Sequence, residues 1–363
     1  MPALFDPYSL KSVTLRNRIA VSPMCQYQAK EGLVNEWHKV HYTTLAHGGA
    51  GLVTLEATAV SPEGRITPRC LGLWNDKQAD SFAPLVAALR QTGTVVGLQI
   101  AHSGRKGSAN VPWEGDDHIP ETSPESWQPI APSAIAFGQN RARVPHAMTI
   151  EDIERVKADF VRAAERARDM GIQVLMLHFA HGYLAQSFWS TYSNQRTDRY
   201  GGTAENRGRF LLETLDAVRA VWPEHLPLCA RFGVIEFDGK DEETLTESIA
   251  LVRKMKERGL DFLDVSVGFS TPGVTVPWGA AFMAPIAARV RREVALPVAT
   301  SWYINDGRQA DALIRNEAVD LVMIGRPLLA NPYWSYEAAR VLHIPQASQI
   351  LPPSYGWSLS RYH

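Results

Sequence analysis

The chain is predicted to be an α/β protein built as a (β/α)8 barrel, on three observations. Eight short apolar, β-branched runs recur along its 363 residues, and helical patterns separate most of them. Most of these runs are apolar without alternation, as expected of parallel strands covered on both faces by crossover helices. Eight β/α units need roughly 250 residues, which leaves a chain of 363 residues room for insertions.

In chain order, residues 1–16 precede the first run and are expected to form a short hairpin that caps the barrel bottom. The candidate strands are 18–22, 51–58, 94–101, 172–178, 226–232, 262–266, 296–301 and 320–325. Candidate helices are 76–91, 149–170, 204–221, 245–258 and 280–293. Thr149 precedes Ile150-Glu151-Asp152, so its hydroxyl can cap a helix whose acidic first turn suits the positive end of the dipole. Gly171 fits the stop of that helix. Residues 102–146 are rich in Pro, Gly and Trp and show little periodicity. They are expected to form a long loop inserted after strand three, and a loop of that length is more often a functional lid than filler. No internal repeat, low-complexity tract or linker divides the chain, so residues 1–363 are expected to form one domain.

Hydrophobic residues at 45% and charged residues at 21% are ordinary for a soluble globular protein. A net charge of -1 gives no electrostatic reason to expect nucleic acid or an anionic membrane as partner. Cys25, Cys70 and Cys229 are too few and too scattered for a disulfide framework or a Cys-based zinc site. The N-terminal stretch lacks a basic segment followed by an apolar core, so no signal peptide is expected there. No apolar run is long enough to span a bilayer, and the cytoplasm is the expected location.

The densest chemical signal is HFAHGYL at 178–184. It follows the apolar run 172–177, so His178, His181 and Tyr183 emerge where a parallel strand gives way to a loop. Such barrels bind ligands at that edge. Two imidazole donors and a phenol suit an oxygen that gains negative charge while a proton is delivered nearby. The His-x-x-His pair has two other readings, a structural pair or part of a metal site. A metal is disfavoured because no Cys or carboxylate lies close in sequence and the Glu of a His-Glu-x-x-His helix is missing; no metal ligand is assigned.

The seventh run ends in Ser301-Trp302 and the eighth in Gly325-Arg326-Pro327. Loops after strands seven and eight of these barrels commonly hold a phosphate. Gly325 permits close backbone approach, and Arg326 offers a forked cation; the alternative is a capping turn with a surface arginine, but the agreement of two adjacent loops favours the phosphate site. Gln99 ends the third run and Arg231 lies near the end of the fifth, where a buried guanidinium needs a partner. Pro23, Met24, Cys25 and Tyr27 follow strand one at the same level, although Cys25 alone could be inert filler. No G-x-G-x-x-G sequence opens a helix after a strand, which argues against a Rossmann dinucleotide domain.

Six motifs occur together and in order: SPMCQY at 22–27, LEATAV at 55–60, LQIAHSGRK at 98–106, HFAHGYL at 178–184, NQRTDRYGG at 194–202 and IGRPLLANP at 324–332. This ordered set resembles the old yellow enzyme family of flavin-dependent ene-reductases, and within it the thermophilic-like branch, along essentially the whole chain. The resemblance implies one barrel domain with FMN held non-covalently and NADPH or NADH as a transient reductant. It implies that Pro23, Met24 and Cys25 contact the flavin, with Ala57 beside it. Gln99 and Arg231 would bond the pyrimidine end of the ring, and Ser301, Gly325 and Arg326 would surround the phosphate. His178 and His181 would bind the substrate's activating oxygen, and Tyr183 would donate a proton. Tyr27 and Trp302 would wall the pocket, Trp302 against the cofactor as well.

Many relatives carry His-x-x-Asn where this chain has His181. The tail, 344–363, carries Trp357, and in this branch a C-terminal residue can reach a neighbouring subunit's pocket, so a homodimer or larger homo-oligomer is implied. The implied reaction is reduction of the activated C=C bond of α,β-unsaturated aldehydes, ketones and imides, with nitro esters or nitroaromatics as further substrates. Readings from other classes are a flavin-free phosphosugar isomerase or aldolase, a flavoprotein sensor and a zinc hydrolase.

Overall fold

The computed structural model describes residues 3–138 and 140–361. Eight strands close into a barrel: β1 (Ile19–Val21), β2 (Leu52–Ala59), β3 (Val95–Ala101), β4 (Val174–Phe179), β5 (Leu228–Ile235), β6 (Phe262–Val267), β7 (Val298–Thr300) and β8 (Leu321–Ile324). Each pairs in parallel with its neighbours in chain order, and β8 returns to β1 through Val322↔Ile19, Met323↔Ala20 and Ile324↔Val21. Every residue of these strands is buried, which accounts for the missing alternation in the sequence. The predicted (β/α)8 barrel is the fold observed.

The N-terminal hairpin, Tyr8–Leu10 against Val13–Leu15, is antiparallel and closes one end of the barrel. Val13 and Leu15 pack with Ala20, Leu52, Val95, Val174, Cys229, Phe262, Ala299 and Leu321, residues drawn from all eight strands near their starts. The larger apolar core lies between barrel and helices. All openings used below therefore lie at the opposite end, where the strands finish.

Helix α2 (Asp76–Gln91) and helix α5 (Ala204–Val221) match their expected bounds. Helix α3 (Ile150–Asp169) begins with the cap expected of Thr149, and the cap proves reciprocal: its hydroxyl accepts from the Asp152 amide at 3.1 Å, and the Asp152 carboxylate accepts from the Thr149 amide at 3.0 Å. Gly171 follows with φ +82, a conformation glycine adopts without a Cβ clash.

Strand β5 runs three residues past its expected end at Phe232, and two helices start away from their expected positions. Helix α6 (Asp241–Glu257) starts four residues early, because Asp241, Glu242 and Glu243 make a favourable acidic first turn. Helix α7 (Ala284–Val294) starts late, because Pro285 is accommodated in a first turn and not in a helix interior. Helix α1 (Glu36–His47) escaped notice because the buried face its period defines is carried by His38 and Tyr42 as well as Leu45 and Ala46.

The segment after β3 is a long loop, as expected, and arginines order it from within. Arg143 donates to Ser108, Ser126 and the carbonyls of Trp127 and Ile119. Arg141 donates to the Lys106 carbonyl at 2.6 Å and pairs with Asp116. No helix among the described residues is long and apolar enough to cross a membrane.

Candidate active site

His178 is the penultimate residue of β4, and the chain then turns through His181 (φ +64) and Gly182 (φ +68) into the short helix α4 (Leu184–Trp189), whose N-cap is Tyr183. This turn gathers the three side chains. The ring centroids of His178 and His181 lie 4.9 Å apart, those of His178 and Tyr183 5.1 Å, and those of His181 and Tyr183 6.4 Å. A histidine in the left-handed region is uncommon, and such strain persists only where the surroundings fix it. Here Lys106 fixes it: its ammonium donates to the His181 carbonyl at 2.8 Å and to the Phe269 carbonyl at 2.9 Å, joining the loops after β4 and β6.

The electrostatics keep both imidazoles neutral. Burial, followed by Arg231 and Lys106, pushes the His178 pKa well below its ordinary value, and burial, Arg231 and His178 do the same for His181. His178 Nδ1 accepts from the Ala180 amide at 3.4 Å, so the ring proton sits on Nε2. His181 Nε2 is engaged by the Ser266 hydroxyl at 2.9 Å, a partner that a substrate oxygen would have to displace or share. Burial raises the Tyr183 pKa, so the phenol holds its proton at neutral pH. The site therefore offers a neutral imidazole N–H and a protonated phenol side by side.

Two cavities meet at His181 and Trp302. One, of about 260 Å³, is lined by Ser22, Pro23, Met24, Arg231, Ser301, Gly325 and Arg326, among others. The other, of about 540 Å³, is lined by Tyr27, Lys106, Arg141, Tyr183, Phe269 and Trp278 with their neighbours. Trp302 stands between them at φ +78, with its indole N–H 3.3 Å from Ser266 Oγ and its ring 5.6 Å from Phe269. Lys106, Arg141 and Phe269 had no assigned role in the sequence. The signal for Lys106 was its place in LQIAHSGRK, where an Arg-Lys pair follows the end of a strand; nothing local marked Phe269 or Arg141.

Arg231 is buried on β5. Its guanidinium donates to Ser301 Oγ at 2.8 Å and Ser22 Oγ at 3.3 Å, and its Nε lies 3.1 Å from Asp264 on β6. Ser301 thus stands at the Arg231 end of the cavity, while exposed Arg326 lies on its rim. Cys25 is partly buried beside this cavity without lining it, and burial holds its thiol protonated. Ala57 faces a narrow void shared with Tyr183. Gln99 lies deeper, its amide donating to Met176 Sδ at 3.3 Å. Trp357 is not brought into the site within one chain. It sits 63% exposed on the C-terminal helix Pro353–Leu359, with Arg361 stacked 4.0 Å from its ring.

The donor set fits the FMN that the sequence resemblance implies. Arg231 Nε is buried without a hydrogen-bond partner of good geometry, as are both Asp264 carboxylate oxygens. A Cβ built on Gly325 would meet Met24 Sδ at 3.5 Å and Ser22 Cβ at 3.9 Å, ordinary contacts with two other residues that line the cavity. One cavity thus has a buried guanidinium and hydroxyls at one end and a second guanidinium at its rim, the complement of a flat polar ring with an anionic tail.

The comparisons agree with this chemistry. The sequence matches the NADH:flavin oxidoreductase / NADH oxidase family over residues 3–343. An NADPH dehydrogenase of Geobacillus sp. (strain WCH70) is 41% identical over 342 residues, covering 93% of this chain and 94% of its own. An NADPH dehydrogenase of Listeria innocua is 41% identical over 344 residues, covering 94% and 96%. Among solved structures, morphinone reductase in complex with tetrahydroNAD has a TM-score of 0.78 at 27% identity, covering 98% of this chain and 94% of that one. The old yellow enzyme homologue from Zymomonas mobilis has a TM-score of 0.77 at 24% identity, covering 98% and 99%, a likeness of fold. With a family match along almost the whole chain, and with a cavity whose donors suit a flavin, this protein is a member of the NADH:flavin oxidoreductase family of old yellow enzymes, oxidoreductases that hold FMN and draw electrons from NAD(P)H.

Proposed function

We propose that the protein is an NAD(P)H-dependent ene-reductase that saturates the activated C=C bond of α,β-unsaturated aldehydes, ketones and imides, with nitro esters and nitroaromatics as secondary substrates. The observation that carries this reading is the convergence of neutral His178, His181 and protonated Tyr183 within 6.4 Å of one another, ring to ring, with His181 lining both cavities and Tyr183 the larger one.

Pro23, Met24, Cys25, Ala57, Gln99, Arg231, Ser301, Trp302, Gly325 and Arg326 would hold FMN. Bound there, FMN would supply the redox chemistry that carries a hydride equivalent from NAD(P)H to the substrate's β-carbon. The chain's own residues do the rest. His178, through Nε2–H, and His181 grip the carbonyl oxygen, withdrawing electrons from the conjugated bond. As negative charge gathers on that oxygen their hydrogen bonds strengthen, a contribution of roughly 3–4 kcal/mol per donor in comparable sites. Neutral imidazoles suit this role because they stabilise the charge without first protonating the oxygen. Tyr183 releases its proton to the α-carbon, which completes saturation. Tyr27, Trp302 and Phe269 wall the substrate's apolar remainder and exclude water.

The test is spectroscopic. Protein reconstituted with FMN is reduced anaerobically by one equivalent of NADPH or NADH, and cyclohexenone is then added. Return of the oxidised flavin bands with formation of cyclohexanone supports the proposal. Reoxidation by oxygen alone, with no reaction toward any enone, enal or maleimide, would overturn it.

A further inference from the structure

Beneath the loop that carries Met24, Cys25 and Tyr27 lies a carboxylate to which the reaction described above gives no task. Glu56 sits on β2, is 1% exposed, and immediately precedes Ala57. Its two oxygens are divided between two structures. Oε2 accepts from the Gln26 backbone amide at 2.8 Å, in the loop after β1. Oε1 accepts from the Tyr42 hydroxyl on α1 at 3.0 Å, and that hydroxyl in turn accepts from the Glu56 amide at 2.9 Å. The Tyr42 bonds fix the carboxylate, and the carboxylate fixes the loop.

The loop has few other fasteners at this point. The Gln26 side chain donates back to the Met24 carbonyl at 2.9 Å, and Tyr27 takes a left-handed turn at φ +52 before packing edge-on against Trp113. Such a turn needs an external restraint, and the Gln26 amide immediately before it is where Glu56 supplies one.

We propose that Glu56 is a titrating positioning residue: in its ionised form it fastens the Cys25 loop against the cofactor site, and on protonation it loosens that loop, so that the flavin environment responds to pH. This rests on the reading that Met24 and Cys25 contact FMN. An ionised carboxylate accepts a stronger bond from an amide than a neutral acid does, which gives the direction of the effect.

The groups facing Glu56 are consistent with titration near neutrality. From α1 come Tyr42 and His38, with His41 edge-on to Tyr42 at 4.8 Å. His38 Nδ1 lies 3.1 Å from the Asn35 amide nitrogen and 2.8 Å from Asn35 Oδ1, while its Nε2 lies 3.8 Å from Glu56 Oε1. Burial and His41 hold His38 neutral, at about 4, so it lends no full charge. From the loop comes partly buried Cys25, and from the segment after β2 comes buried Cys70; burial raises the pKa of both thiols. With burial opposing charge and the Gln26, Tyr42 and Tyr27 donors favouring it, the Glu56 acid is pushed up to about 7.

The experiment is a pH titration of the oxidised flavin spectrum of the FMN-loaded protein between pH 5.5 and 8.5, with FMN affinity measured at both ends. The wild type is expected to show one spectral transition near neutrality. Glu56→Gln, which keeps the shape and cannot ionise, is expected to show none. Tyr42→Phe removes a donor to the charged form and should move the transition upward by about one pH unit; it carries the test if the Gln variant fails to fold. A wild type that binds FMN with a flat spectrum, a transition that survives in Glu56→Gln, or a Tyr42→Phe transition that does not move would each overturn the proposal and leave the flavin reading intact. Failure of the wild type to bind FMN would overturn both.

Discussion

His178 and Arg231 are register partners on the adjacent strands β4 and β5, so the imidazole proposed to hold the substrate oxygen stands beside a permanent cation. After burial, that cation is the largest influence holding His178 neutral. An ordinary histidine takes up its proton near pH 6.5. With the folded pKa depressed, stability linked to His178 is present above that value and is lost as pH falls below it, because the unfolded chain binds the proton first. Imidazole resonances in the wild type should therefore show no titration of His178 between pH 8 and 6. Arg231→Gln should bring its midpoint upward. A wild-type midpoint near 6.5 would show that the charge of Arg231 is not felt.

His178→Ala and His181→Ala should each weaken binding of 4-hydroxybenzaldehyde by roughly ten- to a hundredfold, the worth of one strong hydrogen bond to a charged oxygen. FMN should stay bound in both. Titration of the flavin absorbance reports the affinity, and unchanged values in both variants would make the pair structural. The His181 variant should also free the Ser266 hydroxyl, which His181 Nε2 now shares with the Trp302 indole N–H.

Tyr183→Phe should leave the rate of flavin reduction by NAD(P)H nearly unchanged while slowing reoxidation by cyclohexenone by roughly 10²- to 10⁴-fold, the range for loss of a positioned general acid. Stopped-flow absorbance separates the two halves. Nitro substrates that need no proton on carbon should suffer less. Loss of flavin reduction with normal reoxidation would instead place Tyr183 in nicotinamide binding.

Glu56 also leaves a mark on global stability. Its folded pKa, about 7 against an ordinary value of 4.5, means that the fold is favoured where the acid is protonated. That contribution is full below about pH 4.5 and is lost as pH rises to 7, roughly 3 kcal/mol in all. Urea denaturation should accordingly show Glu56→Gln gaining on the wild type between pH 5 and pH 8. Parallel pH profiles for the two proteins would mean that the buried carboxylate is ionised at no cost.

The barrel was legible because burial on both faces writes itself into strand composition: β4 and β5 are apolar up to His178 and Arg231, and the two polar residues then announce the functional end. The Thr149 cap was readable because the hydroxyl and its partner lie three residues apart. What could not be read was long-range. Lys106 reaches His181 and Phe269, 75 and 163 positions away, and no local pattern encodes such a contact. Glu56 looked like one polar residue inside a strand, because its partners Gln26 and Tyr42 become neighbours only when β1, α1 and β2 pack. Trp357 was placed by resemblance alone, and in a single chain it lines neither cavity of the site.

The left-handed backbone at His181 limits what evolution or an engineer can place there. At φ +64 a β-branched or bulky side chain meets its own carbonyl, whereas Asn, Asp, His and Gly are the types that tolerate the conformation. Only His and Asn in that short vocabulary can donate a hydrogen bond while staying uncharged. The His-x-x-His of this chain, and the His-x-x-Asn that the sequence resemblance implies for relatives, both obey that steric grammar: the turn admits few residues, and the chemistry accepts two of them. A library at position 181 that spans all twenty amino acids would spend most of its members on a backbone that refuses them.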